Sequence, residues 1–231
     1  MYAKYFKRFF DFWFSLMALL LLLPLFLILS VTGSLAMRGN PFFVQPRPGK
    51  KGEDGKEKIF YLFKFRTMSN KKDREGRLLP DAARLNGYGR FLRSTSLDEL
   101  PSLLNVLKGD LALVGPRPQL VRDMVFMTAR QRRRHEVRPG LTGLAQINGR
   151  NNITWEQKFE YDLAYIEKGI TARGDIAILL KTVVKVFKRA DTVRDGTASD
   201  IDLGDWLMRE GKIDSGEYRE KQQEAKELLG V

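Results

Sequence analysis

The chain has no cysteine and a single histidine among its 231 residues. Without cysteine there are no disulfides and no thiolate metal sites, in keeping with a reducing compartment. One histidine excludes a multi-histidine metal centre. That residue, His135, lies in the basic run QRRRHE and is expected on the solvated surface. Charge is missing from residues 12–36, and proline is nearly so: Pro24 stands alone at the midpoint, with twelve residues on either side.

What is present there is apolar bulk. As a straight helix the stretch would reach about 37 Å, enough to cross a hydrocarbon core of about 30 Å. Each arm beside Pro24 is only about 18 Å and too short to cross. Pro24 removes a backbone donor and clashes with the carbonyl four residues back, which kinks or breaks the helix, although transmembrane helices tolerate kinks. Lys4, Lys7 and Arg8 precede the stretch, and Arg38, Arg47, Lys50 and Lys51 follow it. Positive residues mark the cytoplasmic side, so a crossing has no clear orientation, whereas a re-entrant helix-break-helix places both ends on one face. The run is too long, and lacks the small-residue cleavage site, for a signal peptide. Asp11, one residue before the run, needs a partner; Lys7 and Arg8 lie a turn away.

Net charge is +12, unevenly spread. Residues 195–231 hold ten acids and five bases, a net of −5, which leaves +17 on residues 1–194. A basic body implies an anionic partner, and beside a membrane segment lipid headgroups and phosphorylated substrates come before nucleic acid. The composition suits residues 1–38 as a membrane segment, 39–194 as one α+β, mainly helical domain, and 195–231 as an acidic tail.

Along the chain, residues 40–58 are rich in Gly, Pro and Lys and are expected as loop, with a strand over Ile59–Phe65. Residues 69–86 are expected as a mobile loop, and 87–107 as short helices. Leu111–Val114 is a short apolar run ended by the rigid Gly115-Pro116-Arg117-Pro118. Val121–Val137 and Trp155–Lys168 read as helices, and Pro139–Gly149 as a glycine-punctuated loop. Asp175–Lys188 puts Ile176, Leu179, Leu180, Val183, Val184 and Phe187 on one helical face. That face either packs on the core or lies in a membrane interface with Lys181, Lys185 and Lys188 at the headgroups.

Ser96-Leu97-Asp98-Glu99 before an apolar run has the spacing of a capping box. The same two carboxylates could instead hold a divalent cation, or one could attack phosphorus once cations offset the like-charge repulsion. Lys64, Arg66, Arg90, Arg93 and Arg117 are the candidate cations. Arg117, fixed between two prolines, suits a pre-aimed phosphate clamp. Asp162 and Asp175 fit an ion-pair member and a helix N-cap.

FKFRTM (63–68), RSTSLDELPSLLNVLKGD (93–110), LVGPRP (113–118), RPGLTGLAQINGRN (138–151) and FEYDLAYIE (159–167), in this order, resemble the bacterial sugar transferases, and more narrowly the small monotopic phosphoglycosyl transferases. KRFFDFWFS (7–15) and the apolar run with its central proline resemble that family's entry into a re-entrant membrane helix. RNNITWEQKFEYD resembles enzymes that handle UDP-di-N-acetylbacillosamine or related N-acetylated sugars. The resemblance covers residues 1–190 and implies a small cytoplasmic catalytic domain with interfacial amphipathic helices, on the cytoplasmic face of a bacterial inner membrane. It implies that Asp98 attacks the β-phosphate of a UDP-sugar and releases UMP, and that polyprenyl (undecaprenyl) phosphate takes the phosphosugar from the carboxylate. Mg²⁺ would be held partly by Asp98, with Glu99 assisting. Lys64, Arg93, Arg117, Arg150, Asp162 and Asp175 fall at matching substrate- or phosphate-binding positions, and Pro24 is the membrane hinge. Relatives often carry serine before that proline; Leu23 cannot satisfy a freed carbonyl as serine could. LMREGKIDSGEYREKQQEAKELLG (207–230) resembles a short helical hairpin of the SHOCT type, suited to oligomerisation or to contact with the basic body, with Asp214 or Ser215 as cap. A non-enzymatic, membrane-anchored basic module binding anionic lipid or nucleic acid is the competing class; it explains the charge but not the recurrence of Asp98-Glu99, Arg117 and the glycine loop together.

Overall fold

A computed structural model describes residues 1–149, 153–187 and 201–230. A π-helical turn over Tyr2–Phe6 leads into α1 (Lys7–Leu21), and α2 (Leu23–Met37) follows at a bend of 65°. No single helix among the described residues is long and apolar enough to cross a membrane. The break falls at Leu22, with Pro24 in the first turn of α2, where its missing N–H costs nothing. Leu23 is exposed; apolar packing holds the bend in place of a serine hydroxyl. Ala18, Leu19, Leu22, Leu25 and Phe26 pack on Phe65, Leu92, Leu100 and Leu103, and Phe26, Phe42 and Phe65 form a ring cluster with centroids 5.2–5.9 Å apart.

Both arms are tied to the body. Lys7 is buried and reaches Asp175 at 2.6 Å and Asp11 at 3.7 Å, so the expected partner of Asp11 is present. Arg8 instead donates to the carbonyls of Val106 and Leu107, covering the C-terminal end of α5 (Ser102–Lys108) where a cation offsets the helix dipole. From α4 (Gly87–Thr95), the Tyr88 hydroxyl donates to the Leu29 carbonyl at 2.8 Å and Asn86 donates to Ala36 at 3.1 Å. A Cβ at Gly33 would sit 2.7 Å from the Tyr88 hydroxyl, so this close approach needs glycine.

The strand over 59–65 is found as β2 (Glu57–Phe65), but residues 40–58 are not all loop. Phe42–Lys51 forms β1, antiparallel to β2, with Pro46 opposite Tyr61 and Pro48 opposite Ile59. In a two-stranded sheet each strand has an open edge that needs no ladder donors, so the prolines fit. Residues 69–86 are likewise more ordered than a loop, with bridges Met68–Leu85 and Lys72–Leu78 and a short α3 (Asp81–Arg84).

β3 (Ala112–Val114) pairs in parallel with β4 (Gly140–Thr142), so the expected glycine loop contains a strand, followed by α7 (Leu144–Ile147). Gly115, Gly140 and Gly143 touch backbone to backbone: a Cβ on Gly140 or Gly143 would lie 2.1 Å from Gly115 atoms. The expected helix 121–137 is broken into α6 (Val121–Met124) and a 3₁₀ segment, Gln131–Glu136. Thr128 and Gln131 cap one another reciprocally and restart the chain there. The 3₁₀ geometry turns both Arg134 and His135 inward, so His135 is buried, not solvated; it pairs with Glu57 at 3.2 Å.

α8 (Trp155–Glu167) and α9 (Ala172–Phe187) follow. α9 buries Asp175 and Ile178, and Leu179 of the expected face packs against the Val114, Ile147 and Tyr165 cluster, while Ile176, Leu180, Val183 and Val184 are exposed. Thr171, not Asp175, caps this helix: its hydroxyl accepts from Gly174 N–H at 3.1 Å. The described residues of the acidic tail, 201–230, form no solvated appendage. α10 (Leu203–Arg209) and α11 (Ser215–Leu229, capped by Asp214) dock on α6 and α8 through Leu203, Trp206, Leu207 and the Phe126–Tyr218 ring pair.

Candidate active site

Ser96 decides how the two adjacent carboxylates are presented. It adopts a left-handed conformation (φ 57°), and its hydroxyl makes no cap hydrogen bond, so the capping-box expectation fails. The chain reverses there and enters a three-residue 3₁₀ turn, Leu97–Glu99. That turn faces the end of β2 and the Gly115–Pro118 loop.

Glu99 is the carboxylate that takes the ion pairs. One of its oxygens, Oε1, accepts from Lys64 Nζ at 2.8 Å and from Arg117 Nη2 at 2.6 Å. Asp98 stands beside this trio without a contact ion pair among the described residues. Burial pushes the Asp98 carboxyl up and the Glu99 charge adds to this, while Lys64 above all, then Arg117 and Arg93, pull it down. Burial likewise pushes Lys64 down, against the pull of Glu99. Arg93 reaches Thr67 through Nε at 3.1 Å, within electrostatic range of Asp98. Lys64, Arg93, Asp98, Glu99 and Arg117, drawn from β2, α4, the 3₁₀ turn and the loop after β3, therefore converge. Arg150 lies outside the described residues.

Asp162 and Asp175 are not brought to this cluster. Asp162 pairs with Arg134 at 2.6 Å, the two side chains only 2% and 1% exposed, which meets the expectation of an ion-pair member. Asp175 receives Lys7, the Tyr2 hydroxyl at 3.0 Å and the Tyr165 hydroxyl at 2.7 Å. Neither lines the cavity beside Glu99. That cavity, about 430 Å³, has Glu99, Arg117, Thr142, Thr182 and Lys185 among its polar lining. Leu22 at the α1–α2 break, Leu97, Leu100, Leu141, Ile147, Leu179 and Val183 form its apolar walls. The arrangement can hold a multiply charged anion at one end and an apolar chain at the other.

The sequence reading missed the residues that fix the loop. Asp11 accepts from Leu113 N–H at 3.3 Å, and the Tyr165 hydroxyl lies 3.3 Å from the Val114 carbonyl. Gly115 N–H donates to Thr142 and Gly140 N–H to Pro116, each at 2.9 Å. Arg134 Nη2 donates to the Arg117 carbonyl at 2.6 Å, and Arg47 Nη1 to the Pro118 carbonyl at 3.1 Å. One signal was available: Pro46-Arg47-Pro48 repeats the Pro116-Arg117-Pro118 pattern.

Among the described residues, no three acidic or histidine side chains are grouped as a metal site. Asp98 does offer a hard oxygen donor, and Mg²⁺ is commonly held by one or two carboxylates together with substrate phosphates. Its donor type fits such an ion.

Comparison with known proteins gives a consistent picture. Residues 2–189 match the bacterial sugar transferase family. Over 149 residues the chain is 55% identical to the uncharacterized sugar transferase EpsL of Bacillus subtilis (strain 168), covering 64% of this chain and 71% of that protein. It is 37% identical over 195 residues to the UDP-glucose:undecaprenyl-phosphate glucose-1-phosphate transferase of Klebsiella pneumoniae, and 35% identical over 205 residues to the undecaprenyl-phosphate galactose phosphotransferase of Salmonella typhimurium. These matches cover 79% and 81% of this chain but 40% and 41% of those two proteins, so the chain spans about two fifths of their length.

Proposed function

The chain belongs to the bacterial sugar transferase family, and from that we propose that it moves a phosphosugar from a UDP-sugar to polyprenyl (undecaprenyl) phosphate, yielding polyprenyl-diphospho-sugar and UMP. The observation that carries this reading is the junction of a charged cluster, Asp98-Glu99 with Lys64 and Arg117, and an apolar cavity walled by the break of the membrane helix. A long-chain lipid phosphate has that same division into charged head and apolar tail. The related enzymes from Klebsiella and Salmonella are named for undecaprenyl phosphate. A basic module without catalysis would not need two cations focused on one carboxylate oxygen beside a second carboxylate.

In the proposed reaction an Asp98 oxygen attacks the β-phosphorus of the UDP-sugar. The bond from that phosphorus to the bridging oxygen breaks, and UMP leaves with the electron pair. An oxygen of polyprenyl phosphate then attacks the same phosphorus and frees the carboxylate. Glu99 holds Lys64 and Arg117 in place, and those cations offset charge on the diphosphate. Mg²⁺, bound through Asp98 and the substrate phosphates, would supply further charge neutralisation. Asp98 suits the nucleophile because its neighbour, not itself, occupies the two cations.

For the membrane we propose the re-entrant arrangement on the cytoplasmic face. Lys7 and Arg8 at one end, and Leu29 and Ala36 near the other, all contact the same body, so the chain returns to the face it entered. Exposed Phe9, Trp13, Met17, Leu27 and Val31, with Ile176, Leu180 and Val183 on α9, give that body an apolar underside suited to lipid. Cysteines placed at Lys4 and Asn40 should label from one side of sealed vesicles; opposite sides would end the re-entrant reading. For the reaction, purified protein with UDP-sugars, Mg²⁺ and polyprenyl phosphate should release UMP, and Asp98→Asn should not. A panel of UDP-glucose, UDP-galactose and UDP-N-acetylhexosamines identifies the sugar. No turnover of any member would overturn the assignment.

A further inference from the structure

Arg117 is held from behind as well as in front, by two arginines outside the charged cluster, Arg134 buried and Arg47 half-buried. Arg134, from the 3₁₀ segment, donates to the Arg117 carbonyl at 2.6 Å, and the same nitrogen reaches Asp162 Oδ2 at 2.6 Å. Arg47, from β1, uses its fork twice: Nη1 to the Pro118 carbonyl at 3.1 Å and Nη2 to Gln45 Oε1 at 2.7 Å. Two successive carbonyls of one loop are thus fixed by guanidinium groups from two different elements. Guanidinium is suited to this because its donors are planar and its orientation is set by more than one bond. Prolines on both sides remove most of the remaining backbone freedom of Arg117.

Crowding like charges behind a phosphate-facing arginine has an electrostatic cost. Burial, followed by the nearby Arg117, pushes Arg47 down to about 10. Asp162 provides the counter-charge for Arg134, and Asp123 and Glu99 act on Arg47 from the other side. Keeping such an arrangement makes physical sense if the aim of the Arg117 side chain matters.

We propose that Arg47 and Arg134 are positioning residues that aim Arg117 at the substrate diphosphate, and that Asp162 serves the reaction only as the buried counter-charge of Arg134. This rests on the phosphosugar transfer proposed above. It assigns Asp162 a place in the mechanism without contact to substrate, and it joins the two Pro-Arg-Pro segments into one device.

A double-mutant cycle tests it. Steady-state kinetics are measured on the full-length protein for wild type, Arg47→Lys, Arg117→Met and the double variant, each with a thermal-unfolding control. Lysine keeps the charge but cannot span Gln45 and Pro118. The expected result is a KM for the UDP-sugar raised about tenfold or more in Arg47→Lys, with the KM for the lipid phosphate unchanged. In the Arg117→Met background the same change should add nothing. Multiplicative effects would mean that Arg47 acts independently of Arg117 and would overturn the proposal, as would equal changes in both KM values. If Arg47→Lys does not fold, Gln45→Leu, which releases the second arm of the Arg47 fork, enters the same cycle with the same expected pattern. Wild type that turns over no UDP-sugar would strike the proposed function itself; wild-type turnover with an unaltered Arg47→Lys would strike only the positioning role.

Discussion

Arg117 meets an acid at each end, and the two ends differ. Its side chain, 34% exposed, pairs with Glu99 beside a cavity. Its carbonyl is held through Arg134 and Asp162, which are sealed at 1% and 2% exposure. The first pair borders the cavity through Arg117, while Glu99 is only 12% exposed, so on the proposed reading its cations can be shared with an incoming phosphate. The second cannot exchange partners without burying a bare charge, so it serves architecture. On the proposed mechanism the same residue types serve chemistry on one side of the loop and hold shape on the other, with access to the cavity deciding which.

The largest expected effect lies on the open side. Asp98→Asn should lower turnover by on the order of 10⁴-fold or more while leaving the unfolding midpoint nearly unchanged, as loss of a nucleophile does in other covalent enzymes. Comparable turnover would erase the distinction between the two sides. On the sealed side, Asp162→Asn or Arg134→Met should cost about 3–5 kcal/mol in denaturant unfolding, and replacing both with apolar residues should cost less than either alone. An additive double variant would show that the pair is not a unit.

A third effect concerns pH. Burial, only partly opposed by Glu57, pulls His135 down from 6.5 to about 4. Glu57, despite its burial, is held at about 2 by hydrogen bonds from His135 and Arg132. The sign for His135 follows from proton uptake: between about pH 6.5 and 4 the unfolded chain binds a proton that the folded chain refuses. Stability is then lost as pH falls through that window and is unaffected above it, by up to about 3 kcal/mol. Melting curves of wild type and His135→Asn should diverge in slope below pH 6.5; parallel curves would contradict the buried neutral imidazole. The smaller stability effect is on the cavity side again: Glu99→Gln should destabilise less than Asp162→Asn in denaturant unfolding, because Arg117 there borders the cavity, while lowering the rate through misaimed Lys64 and Arg117.

This division also explains what the sequence disclosed. The strand at 59–65, the helix at 155–168 and the proline break are local patterns, and each was visible as hydrophobic spacing or backbone chemistry. β1 was hidden because Pro46 and Pro48 suggest loop until one knows that the sheet has only two strands. His135 and Arg134 were hidden because a run of basic residues looks solvated; their partners, Glu57 and Asp162, lie 78 and 28 residues away. On local grounds Asp98-Glu99 looked like a helix cap, and only the order of the surrounding motifs marked it as a site. The structure adds what no local pattern holds: Ser96 turns the chain so that Glu99, rather than Asp98, meets the cations.

Intact-mass analysis after incubation with UDP-sugar and Mg²⁺, but without lipid acceptor, tests the central claim most directly. The account predicts a phosphosugar adduct with UMP release, mapped to the peptide carrying Asp98, absent in Asp98→Asn, and discharged when polyprenyl phosphate is added. UMP release that occurs only with the lipid present, with no adduct under acid quench, would contradict it.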